Sequence, residues 1–169
     1  MPRQNKLACL AALLLGASAA CCQAADLVRE DRYADITVGK TVATIYQIGN
    51  ENRTTVDQSG PNEKLAQTQV GNRNQAVLTQ SGNGNSLYSQ QTGYANSQQV
   101  TQSGNGNQAS VAQNGVNNAA QVVQNGSYNQ AFVGQYGKDN SATVTQNGFG
   151  GQVSVKQYGE GGTATVTQQ

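Results

Sequence analysis

A chain of 169 residues with 11% charged and 5% aromatic residues, no Trp and no His lacks the large apolar side chains of a conventional globular core. Gln (24), Asn (18) and Gly (20) together exceed a third of the chain, and a net formal charge of +1 offers no basic patch for nucleic acid. Two classes are left: a disordered amide-rich chain, or a repeat fold that buries its amides in ladders.

The first element is a leader. Arg3 and Lys6 precede an apolar run from Leu7 to Ala20, and Cys22-Gln23-Ala24 places small residues before a cut after Ala24. Residues 1–24 therefore read as a secretory signal peptide, the run being short for a retained membrane span. Ser18-Ala19-Ala20-Cys21 partly resembles a bacterial lipobox, which would lipidate Cys21, but lacks the usual Leu. Cys9, Cys21 and Cys22 all lie in the leader, so the secreted part is expected to have no disulfide or thiol chemistry. Without Arg3 and Lys6 the 10 basic residues fall to 8 against 9 acidic ones, a net charge of −1. Residues 25–40 follow, charged and non-repetitive from Asp26 to Asp35, and are expected to be a flexible segment.

From residue 41 the chain repeats. Glycine recurs every eleven residues, at Gly49, Gly60, Gly71, Gly82, Gly93, Gly104, Gly115, Gly126, Gly137, Gly148 and Gly159. Two residues before each stands Gln47, Gln58, Gln69, Gln80, Gln91, Gln102, Gln113, Gln124, Gln135, Gln146 and Gln157, and the series runs on to Gln168. Three residues after most glycines comes Asn52, Asn74, Asn85, Asn96, Asn107, Asn118, Asn129 or Asn140. The unit is Q-x-G-x-x-N-x-A-x-V-x-(Q). A second period of 22 lies over it, since the hexapeptide Gln80 to Asn85 returns unchanged at 102–107.

Within each unit the residues alternate with period two. In 107–113 Asn107, Ala109, Val111 and Gln113 share one face, against Gln108, Ser110 and Ala112 on the other. The x-G-x-x stretch supplies the turn, because glycine reaches positive φ without steric cost. Twelve strands pair as strand–turn–strand rungs, giving an all-β solenoid of about six rungs over 41–169, about 29 Å long at ~4.8 Å per rung. Residues 22 apart then stack. Val56, Leu78, Val100, Val122, Val144 and Val166 should form one interior column, and the glutamines should bond their own copies above and below, which satisfies amides that would be costly if buried alone. Departures gather at the ends: Glu51, Arg53, Asp57, Pro61, Glu63 and Lys64 early, Gln67 in a Val position, and Gly151 and Gly162 where Asn is expected.

The unit Q-x-G-x-x-N-x-A-x-V-x-Q over residues 41–168 resembles the curlin repeat of curli, the amyloid fibres of bacterial surfaces. The resemblance implies an amyloid-like cross-β stack and a structural, non-enzymatic subunit. It implies secretion across the outer membrane of a Gram-negative cell, and a fibre at the cell surface that supports biofilm and adhesion. The implied partners are other curlin subunits and the curli secretion and assembly factors, with no cofactor, nucleic acid or small-molecule substrate. The family has a major fibre subunit and a minor one that nucleates it. Ala25-Asp26-Leu27 with Tyr33, and the lack of a Gly-rich stretch before the repeats, are more similar to the minor subunit. Regular late rungs and a clean final strand are more similar to the major one, which stays open.

Other classes fit less well. An acid/base pair could be drawn from Asp57 and Glu63, but a solvated charged turn accounts for both. Calcium would need repeated Asp in the turns, and phosphate a helix N-terminus, neither of which the repeat supplies. An ice-binding solenoid would continue the Thr143, Thr145, Thr163, Thr165 and Thr167 array, yet positions 77, 99 and 121 are Val, Gln and Gln. A monomeric solenoid adhesin would differ mainly in capping its ends.

Overall fold

A computed structural model describes residues 11–14, 17–23, 32–38 and 40–169, the first three stretches as backbone only. Three strands come before the repeats: β1 (Ala11–Leu14), β2 (Ala17–Gln23) and β3 (Arg32–Val38). The repeats form β4 (Thr41–Ile48), β5 (Arg53–Ser59), β6 (Lys64–Asn72), β7 (Gln75–Asn83), β8 (Ser86–Tyr94) and β9 (Ser97–Asn105). They continue as β10 (Gln108–Val116), β11 (Ala119–Ser127), β12 (Gln130–Lys138), β13 (Ser141–Phe149), β14 (Gln152–Glu160) and β15 (Thr163–Gln168).

Even-numbered strands from β4 stack in one sheet and odd-numbered strands from β5 in the other, all parallel, so the chain coils through about six rungs of a β-solenoid. The register is 22 throughout: Val56 pairs Leu78, Leu78 pairs Val100, Val100 pairs Val122, Val122 pairs Val144, and Val144 pairs Val166. The period-two pattern is the cause. From β4 to β13 the strands bury alternate residues, so the two sheets close on one another along a thin apolar core; in the last rung only Val155 is buried.

The core has polar exceptions where the repeat drifts. Gln98 takes an Ala position and is held by Ser89, whose hydroxyl donates to its Oε1, while its Nε2 donates to Gln90 O at 2.8 Å. Gln67 takes a Val position and is buried with neither amide atom bonded among the described residues.

Of the glycines expected in turns, Gly49 and Gly60 lie in bends just after β4 and β5, whereas those from Gly71 to Gly159 in the repeat series sit at the last-but-one position of strands that run through them, as Gly115 does in β10. Close approach dictates them. A Cβ on Gly93 (φ +120°) would lie 2.0 Å from the oxygen of Gly115 one rung on. The chain bends two residues after each glycine, at a second left-handed position such as Gly84, Ala95, Asn117 or Tyr128.

At one end the order changes hand. β3 runs antiparallel along β4, Arg32 opposite Gln47 and Val38 opposite Thr41, and β2 runs antiparallel along β5 with β1 folded back on it. β3 lies within the segment expected to be flexible, and β1 and β2 within the expected leader. The cut after Ala24 and residues 25–31 lie outside the described residues. At the other end β14 and β15 are the last strands of their sheets.

Candidate functional site

The ladder residues converge inside the rungs. In one sheet Gln47 Nε2 donates to Gln69 Oε1 (2.5 Å), Gln69 to Gln91 (2.7 Å), Gln91 to Gln113 (3.0 Å), Gln113 to Gln135 (2.8 Å) and Gln135 to Gln157 (2.8 Å). In the other, Gln58, Gln80, Gln102, Gln124, Gln146 and Gln168 bond in turn at 2.7 to 3.1 Å. The second Nε2 hydrogen crosses the core: Gln91 donates to Gln75 O and Gln102 to Ser86 O. Gln69, Gln80, Gln91, Gln102, Gln113, Gln124 and Gln135 thus each tie their own column to the facing sheet, with both amide groups bonded at almost no exposure.

The asparagines form two further columns at the corners. The backbone N–H of Asn74 donates to Asn52 Oδ1 (3.0 Å), and the same contact recurs from Asn96 to Asn74, Asn118 to Asn96 and Asn140 to Asn118. Asn107 donates to Asn85 and Asn129 to Asn107 in the other column. Each Nδ2 also reaches the oxygen of the strand-end glycine 19 residues on, as Asn96 does to Gly115 (2.9 Å). The repeated Asn is therefore tied to the repeated Gly. Its amide satisfies a carbonyl at a corner where no strand partner can. The columns end at Gly162 and Gly151, whose N–H groups still donate to Asn140 and Asn129 but which offer no amide onward.

Two residues replace Asn early in its column. Thr41 hydroxyl donates to Gly60 O at 2.8 Å and accepts from the Glu63 N–H at 3.3 Å. Glu63 is wholly buried and accepts from Asn85 N–H and Nδ2, both at 3.1 Å. Burial pushes its carboxyl above the ordinary range, partly offset by those two bonds. Asp57 faces outward and exposed, so the structure does not bring it and Glu63 together as an acid/base pair.

The sequence did not single out the outer surface of late rungs. Tyr136 and Tyr158 stack at 5.1 Å, Tyr128 and Phe149 meet edge to face at 5.4 Å, and Lys156 lies over Phe132 at 5.6 Å. Lys138 pairs with Glu160 at 2.7 Å across the same 22-residue step. The period of 22 makes the Tyr136–Tyr158 and Lys138–Glu160 pairs readable as repeated or complementary residues, but not the Tyr128–Phe149 and Phe132–Lys156 contacts, which are offset from it.

The curlin associated repeat family matches residues 115–148 and again 137–169. Residues 115–169 carry curlin repeats. No curated protein matches it. The curlin repeats recognised over 115–169 share columns with the earlier strands without change of register, so the same geometry extends back to β4. Curlin repeats and a β-solenoid point to a structural protein.

Proposed function

We propose that this chain is a secreted subunit of extracellular curli fibres on a Gram-negative surface, exported and assembled with curli factors at the outer membrane and supporting biofilm and adhesion. The observation that carries the reading is the state of the final rung. β14 and β15 end their sheets in the same parallel register that joins every earlier rung, and the Cβ position of Gly159 faces nothing within 4 Å. A second copy can add there by β-augmentation and prolong the two glutamine columns into a cross-β stack. The ladder residues are then the joining surface rather than a binding site for a small molecule. Secreted protein, purified as monomer, should form fibres with cross-β diffraction; protein that stays monomeric at high concentration for days overturns the reading.

Within that reading the chain is the minor, nucleating subunit. Support comes from the asymmetry of its ends: Glu51, Arg53, Asp57 and buried Glu63 mark the first rungs, whereas rungs three to six are regular. Charges gathered in the first rungs give the two tips of the rod different surfaces, as a subunit that meets the cell-surface factors at one tip and templates the fibre at the other requires. Deleting the gene should leave the bulk fibre protein secreted but unassembled on the cell. Loss of the bulk protein itself identifies the chain as the major subunit.

A further inference from the structure

We propose that β3 is an exchangeable guard on the β4 edge, and that the strand displacing it is β14 of a second copy of this chain. The inference rests on the fibre reading and names the docking surface it requires.

The backbone fixes which edge is at stake. Val42 N–H points forward to Glu63 O (2.8 Å), so alternate residues Ala43, Ile45 and Gln47 turn their backbone groups the other way, toward β3. β3 satisfies those groups, but antiparallel, in a solenoid whose rungs otherwise join parallel. The mismatch leaves a trace. Gln47 is 3% exposed, its Nε2 is bonded forward, and its Oε1 has no partner among the described residues. An unpaired buried carbonyl is costly.

The far end of the rod carries what that carbonyl lacks. Every glutamine in this column donates from Nε2 to the residue 22 later, and Gln157 is the last of them. Its Nε2 donates to Ser141 O at 3.0 Å and to nothing further among the described residues. Gln157 stands five repeats of 22 after Gln47. A parallel β14 placed on β4 therefore brings Gln157 Nε2 onto Gln47 Oε1, Val155 onto Ile45 and Val153 onto Ala43, like onto like. Guard and incoming strand compete for the same backbone groups, and the incoming strand adds a donor for Gln47 that no described residue offers. Exchange then favours the fibre, while the need to peel off β3 slows each addition and protects the monomer from sticking through this edge.

The facing edge is covered differently. β2, on β5, lies in the expected leader, so removal of residues 1–24 would uncover β5 and leave β4 guarded. β3 would be the only guard retained after secretion.

Locking tests this in the secreted chain. Thr37 and Val42 are cross-strand partners that do not exchange backbone hydrogen bonds, the closer kind of antiparallel pair. In Thr37→Cys/Val42→Cys, oxidation should cut seeded elongation at least tenfold, with full recovery on reduction. Ile36→Pro, which removes an N–H directed at β4, should shorten the lag severalfold and make 32–38 cleavable by protease in the monomer. Elongation equal in oxidised and reduced protein, with an unchanged lag in the proline variant, overturns the guard. Unmodified chain that forms no fibres overturns the fibre reading instead.

Discussion

Asn85 donates both its backbone N–H and its Nδ2 to the carboxylate of Glu63, at 3.1 Å each, where every later member of that column donates to another asparagine. An asparagine would also donate onward to a glycine carbonyl, as Asn85 does to Gly104 at 3.0 Å; an ionised carboxylate has no hydrogen to offer.

That makes the second rung sensitive to rising pH. The folded chain holds the Glu63 carboxyl above its unfolded value, so it binds a proton more tightly than the unfolded chain does. Its contribution to stability is complete below the unfolded carboxyl range and is lost as pH rises through the raised folded value. Denaturation midpoints should fall as pH rises from the ordinary carboxyl range toward neutrality. Glu63→Gln should flatten this part of the profile; an unchanged slope would exclude Glu63 as its source.

Gly93→Ala should be among the most damaging small substitutions. The new methyl would meet Gly115 O at 2.0 Å in backbone that cannot yield without parting two rungs, at a cost of several kcal/mol. Gly84→Ala, also at positive φ but with nothing within 4 Å, should cost only about 1 kcal/mol. Thermal melting of the two variants gives the comparison.

Gln146→Ala with Gln168→Ala should slow fibre growth several-fold, because both residues belong to the column presented at the last rung. Ser154→Ala, on the exposed face of β14, should leave the rate within a factor of two. Equal loss from both variants in seeded elongation assays would mean that the amides do not template the incoming chain.

Gln67→Val should stabilise the fold. It removes two buried amide atoms that have no partner among the described residues and restores the residue type found at Val111 and Val133 in the same column. A gain of about 1–3 kcal/mol in chemical denaturation is expected.

The columns were legible because stacking forces one residue type onto one position, and a count of eleven reveals it. The second left-handed corner was not, since Gly84, Gly106 and Asn117 share it with Arg73, Ala95 and Tyr128, which disguise the backbone requirement. The glycine's purpose was half readable: positive φ follows from the residue, but its closeness to the next rung is a property of the stack. β3 escaped notice because it stands outside the repeat, although Ala34, Ile36 and Val38 alternate as a strand would. Glu63 was visible as a departure, yet only its burial in the asparagine column shows what the departure costs.

The glutamine side chains turn their carbonyl oxygens toward the β4 end of the rod, and the asparagine side chains turn theirs toward the β14 end. Strand backbones add little net polarity, since their own dipoles alternate. Two columns of aligned amide dipoles are therefore opposed by two others. The rod gains no axial macrodipole as it lengthens, unlike an α-helix, whose ends carry opposite partial charge. A fibre of any length keeps electrically similar tips, and whatever distinguishes one tip from the other acts at contact range, through hydrogen-bond donors and acceptors, rather than at a distance.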